Sequence, residues 1–167
     1  MYGTYQKHTQ FFSTAPATAL HELEIAVEQG TGDLGLISVA HPITIVGFGM
    51  IVVNEVVNYD NATPTEAVWA LDYRPIDDDD TGRVELETIT IPENGASDSM
   101  AIGEVLYNKM AAQKGGYDVD PGGQLVLEVV VAGAGSTETG TLKPFIVYHD
   151  RGEYIDNLDN LVTVVEE

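Results

Sequence analysis

A chain of 167 residues that is 44% hydrophobic is long and apolar enough to bury one core, and 7 Lys and Arg against 27 Asp and Glu give a formal net charge of −20. Such a field repels phosphate backbones and anionic membrane surfaces, which excludes nucleic acid and membrane as partners of the folded body. The lack of cysteine removes disulfides, zinc ribbons and thiol nucleophiles, and the longest apolar run, Pro42 to Val53, is too short to span a bilayer.

Residues 1–19 read as an extended N-terminal arm. Through His21 there is one lysine and no acid, and Pro16 interrupts any helix. Nothing from Met1 to Leu20 has the continuous apolar run of a signal peptide. Tyr2, Tyr5, Phe11 and Phe12 are costly to leave in water, so they are the candidate protein-interface residues, a frayed end being the alternative.

Residues 20–149 carry a β pattern. Leu23, Ile25 and Val27 alternate with Glu22, Glu24, Ala26 and Glu28, the period of a half-buried strand. A turn at Gly30–Asp33 leads to a short strand at Leu34–Val39 and a long apolar one at Pro42–Val57. Gly47 and Gly49, two residues apart on one face, predict a bulge or a close approach of another backbone. Ala67–Tyr73 and Val84–Ile91 are strands on either side of the acidic run Asp77–Asp80, which reads as a solvated hairpin tip. Met100–Gln113 admits two readings: a short helix, from the spacing of Ile102, Val105, Leu106 and Met110, or a strand over Glu104–Asn108. Gln124–Ala132 is the clearest strand, and Thr141–His149 follows with Pro144 marking an edge or a bulge. Residues 150–167 form a C-terminal tail packing on the domain. About eight strands without strand–helix alternation predict an all-β antiparallel β-sandwich.

No constellation for chemistry stands out. His8, His21, His41 and His149 are scattered, with neither a His-x-His pair nor a His-Glu-x-x-His helix. Ser97 lacks the second glycine of a nucleophile elbow, and Gly133-Ala-Gly135 meets Glu138 where a dinucleotide motif needs glycine. Asp77, Asp79, Thr81 and Gly82 match the start of a calcium loop, but Thr88 stands where a bidentate Glu is required. A loosely held cation near Asp77, Asp78, Asp79 and Asp80 is the only cofactor the sequence suggests. Trp69, Leu71 and Tyr73 share one strand face and read as core, with Val68, Ala70 and Asp72 on the other. The expectation is a non-enzyme with no catalytic residues.

Several features together resemble the jelly-roll cement or decoration proteins of tailed-bacteriophage capsids. They are the acid-free aromatic arm, the run Pro42–Val53, Leu71-Asp-Tyr-Arg-Pro75, the turn-to-strand Val119-Asp-Pro-Gly-Gly-Gln-Leu-Val-Leu-Glu-Val-Val-Val131, and Leu142-Lys-Pro-Phe-Ile-Val-Tyr148. The likeness spans residues 20–149. It implies a jelly-roll-like homotrimer on the outer capsid surface of a virion, bridging neighbouring copies of the major capsid protein. The alternative is a β-sandwich carbohydrate-binding or fibre-tip module. Exposed aromatics on one face would favour sugar, whereas an apolar, low-charge flank would favour capsid docking.

Overall fold

The computed structural model describes residues 7–12, 24–26, 31–57, 67–75, 82–91, 99–110, 116–131 and 139–151. These form strands β1 (Lys7–Phe11), β2 (Ile25–Ala26), β3 (Gly32–Ser38), β4 (Ile43–Val57), β5 (Ala67–Arg74), β6 (Val84–Ile91), β7 (Ser99–Met100), β8 (Val105–Lys109), β9 (Tyr117–Val119), β10 (Gln124–Val131) and β11 (Thr139–Asp150). There is no helix among the described residues. Two antiparallel sheets pack face to face as a β-sandwich. The smaller has the order β3-β10-β5-β6. The larger runs β1-β11-β4, with β2 also on β11, and with β7, β8 and β9 laid in turn along β4.

The core follows from strand alternation. Trp69 and Leu71 of β5 with Leu125 and Leu127 of β10 face Phe48 and Met50 of β4 and Ile146 of β11, all fully buried. The expected core face of β5 is therefore present, with Tyr73 half-buried at its end against Tyr117, ring centroids 6.0 Å apart.

Four details depart from the sequence reading. First, residues 7–12 are not an arm outside the sandwich: β1 pairs with β11 from Lys7↔His149 to Phe11↔Phe145. Second, the described residues alone hold eleven strands, because β1, β7 and β9 carry too few apolar residues to announce themselves. Third, of the two readings of Met100–Gln113 the helix is not found and the strand is, shifted by one residue from Glu104–Asn108 to Val105–Lys109, so the helical spacing of Ile102, Val105, Leu106 and Met110 is incidental. Gly103, with φ of 88°, turns the chain so that β8 pairs with β4, leaving Ile102 69% exposed. Fourth, Pro144 sits in a central strand rather than at an edge. Its carbonyl accepts the Phe12 N–H at 3.2 Å, so the N–H that proline lacks would face the Phe12 carbonyl, just past the end of β1, and the loss falls at the last rung of that ladder.

Asp150 closes β11, and the Arg151 N–H donates to the Pro42 carbonyl at 2.9 Å. The remaining tail, 152–167, lies outside the described residues, as do Tyr2, Tyr5 and Asp77–Asp80.

Candidate functional site

The outer face of the larger sheet carries a row of rings in cross-strand register. Phe11 of β1 pairs with Phe145 of β11, Phe145 with Gly49 of β4, and Gly49 with Tyr107 of β8. Phe145 and Tyr107 lie in nearly parallel planes, 7° apart with centroids separated by 6.3 Å. Phe11 tilts at 60° against Phe145 at 5.7 Å. Residues at alternate positions of these strands face the core, so the rings project outward.

The two glycines explain how the rings settle. A Cβ at Gly47 would fall on the Tyr107 ring, and one at Gly49 on the Phe145 ring. The sequence predicted a bulge or a close approach of backbone. A register shift does occur between Val147 and Tyr148 opposite Gly47 and Ile45, but what approaches the glycines is aromatic side chain. Gly49→Val is accordingly expected to cost about 1–3 kcal/mol, the usual penalty of overpacking, because Phe145 must leave its seat. Urea denaturation of the variant measures this directly.

Flanking registers extend the face. Thr9, Val147, Gly47 and Lys109 form one neighbouring row, and Lys143, Ile51 and Val105 the other. None of these positions is acidic, in a chain with 27 acids. Tyr107 is 43% and Val105 51% exposed, while Phe11, Phe145, Ile51 and Val147 are half-buried. At the rim Lys143 pairs with Glu24 at 3.3 Å. The arrangement can hold an apolar or aromatic-stacking partner with little desolvation of charge.

Of the four candidate interface residues, Phe11 belongs to this row. Phe12 does not: it is fully buried in the sandwich core, because the next residue of a strand points to the opposite face. It anchors its own fold and is unavailable to a partner.

The structure also brings together two histidines that the sequence left apart. His8 Nε2 lies 3.2 Å and His41 Nε2 2.6 Å from the two carboxylate oxygens of Asp150, tying β1, the β3–β4 connection and β11 at one end of the sandwich. His8 stacks on Tyr148, whose hydroxyl pKa is pushed up by burial and then by Asp150. Among the described residues no group of three or more His, Asp or Glu is arranged to hold a metal ion.

Neither the ring row nor the histidine pair is visible as a motif, since each is assembled from strands far apart in the chain. The Gly-x-Gly spacing at 47–49 and the exposed-aromatic reading of Phe11 were the signals of the row that the sequence carried. Compared with protein-family models, with curated proteins and with solved structures, the chain matches none.

Proposed function

We propose that this chain is a non-enzymatic structural protein of a virion, a cement or decoration protein that docks on the major capsid protein through the outer face of its larger sheet. The aromatic rows of that face carry this reading: they hold no acid, and acids enter only at the margins, where Glu24 pairs with Lys143 and Asp118 accepts from Thr44. Burying an unpaired carboxylate costs several kcal/mol, so a body of charge −20 docks tightly only where acids are missing. The acidic run Asp77–Asp80 lies outside the described residues, and in sequence it connects β5 and β6, strands of the opposite sheet. β1 pairs only with β11 among the described residues, and its other edge offers a site for contact between copies, in keeping with a homotrimer.

Placing an acid in the row tests the reading. Tyr107→Glu alters a side chain that is already partly in water, so thermal stability should change little. Rebinding to particles stripped of the protein should fall by about 10-fold or more, the equivalent of a 1.4 kcal/mol loss. A variant that rebinds like the parent, or a reconstruction of the native particle with another face on the coat, would overturn the proposal.

A second reading has its own observation. The near-parallel rings of Tyr107 and Phe145, 6.3 Å apart, resemble a stacking surface for a saccharide, as in a carbohydrate-binding or fibre-tip module. Under that reading Tyr107→Ser loses binding to immobilised polysaccharide, and attachment to stripped particles is absent in the parent protein too.

A further inference from the structure

The outer face of the smaller sheet holds a second cluster, independent of the docking face. At its centre is Asp72 of β5, only 4% exposed. Its Oδ2 accepts from Arg83 Nε at 2.6 Å, while its Oδ1 is buried with no hydrogen-bond donor among the described residues. Arg83 is otherwise occupied. Nη2 donates to Glu128 Oε2 at 2.7 Å and to Asp33 Oδ1 at 2.8 Å, and Nη1 donates to Asp33 Oδ2 at 3.1 Å. One guanidinium therefore serves three carboxyl groups, from β3, β5 and β10. The same guanidinium holds the Glu128 carboxyl beside that of Asp72, its diagonal neighbour across the β5–β10 ladder. Two ionised carboxylates offer only acceptors, so this contact becomes a hydrogen bond only with a proton between them.

We propose that Asp72 and Glu128 hold one proton between them, and that this proton together with Arg83 clasps β3, β5 and β10 in a pH-sensitive latch. Protonated Glu128 donates to the otherwise orphaned Asp72 Oδ1, and its second oxygen keeps accepting from Arg83. Every polar atom of the pair then has a partner, which a buried network needs. The surroundings act in the same direction. Asp33 on β3 adds negative potential that favours proton uptake, and Glu85 stands in register with Asp72 on β6. Glu87 of β6, with Oε1 on the Thr88 N–H, and Arg74 at the end of β5 complete the charged groups on these strands. Burial raises the pKa of Glu128, the contact with Asp72 raises it further, and Arg83 only partly offsets them.

The sign follows. A carboxyl whose folded pKa lies above its unfolded value takes up its proton more readily in the native state. The latch is thus complete below the ordinary glutamate range and is lost as pH rises through the raised folded value. Loosening above that point should be felt first at β3, which is the edge strand held through Asp33.

The test compares Glu128→Gln, whose amide donates permanently to Asp72 Oδ1 while its oxygen accepts from Arg83, with Asp33→Asn, which removes the same charge from the more exposed end of the cluster. The Tm advantage of Glu128→Gln over the parent should grow from near zero at pH 5 to roughly 2–4 °C at pH 8. Asp33→Asn should show no such growth. Carboxyl carbon resonances of the parent protein, followed against pH, should show Glu128 titrating above the ordinary glutamate range. A Glu128 resonance that titrates normally would overturn the latch, as would a Tm difference that is flat with pH or equal in the two variants.

Discussion

Phe12→Ala is expected to remove about 3–5 kcal/mol of folding stability from the isolated protein, the loss typical of truncating a fully buried aromatic ring. The residue is 0% exposed and lies in the same cluster as Trp69, Phe48 and Leu142, and its N–H is spent on the Pro144 carbonyl. If the first residues were only a docking arm, the same substitution would leave the free protein untouched and weaken attachment alone. Chemical denaturation without any partner separates the two. For the same reason deletion of residues 2–15 should not yield an intact sandwich lacking an arm. It removes all of β1, strips one ladder from β11 and empties the space filled by Phe12. Phe11→Ala, one residue earlier, removes a half-buried ring of the outer row and should cost clearly less.

Arg83→Met is expected to be of similar size, about 3–5 kcal/mol at neutral pH, because removing one partner strands a buried charge. The Asp72 side chain is 5% exposed and cannot turn to water when the guanidinium leaves. Burial works to lower the Arg83 pKa, but its bonds to Asp33 and Asp72 more than reverse this, so the pKa is raised and Arg83 is charged throughout the working range. The methionine keeps much of the aliphatic stem, so the loss reports charge rather than packing. It should shrink at acidic pH, where the carboxyl groups left behind take up protons. Thermal melts at pH 5 and pH 7.5 measure both the loss and its pH dependence.

Where a strand buries one whole face, its place was plain in the sequence. Val84–Ile91 matches β6, and Gln124–Ala132 matches β10 as far as Val131, Ala132 lying outside the described residues; the apolar runs are bounded in sequence by Pro92 and by the glycine-rich stretch from Gly133. β1 was not legible. Lys7-His-Thr-Gln-Phe has no alternation of its own and becomes a strand only because β11 lies beside it. The candidate site shows the same division. The outward faces of β1, β8 and β11 are ordinary polar and aromatic mixtures until the register brings Phe11, Phe145 and Tyr107 into line. Asp72 stood correctly opposite Trp69 and Leu71, but nothing local said that this second face is also buried. That needs Arg83, eleven residues away, and Glu128, on another strand.

The position of β11 between β1 and β4 has a kinetic consequence. Neither flanking strand can complete its backbone pairing until residues 139–150 have been synthesised, although β1 precedes them by most of the chain and β4 by about half of it. During translation the apolar run of β4 must therefore wait, exposed or shielded by a chaperone, for a late-made strand to arrive. Closing so long a loop is entropically slow, and sandwiches dominated by distant contacts fold in milliseconds to seconds. Ribosome-bound chains stopped before residue 139 should accordingly remain protease-sensitive throughout the larger sheet, and protection of β4 should appear abruptly once β11 has emerged.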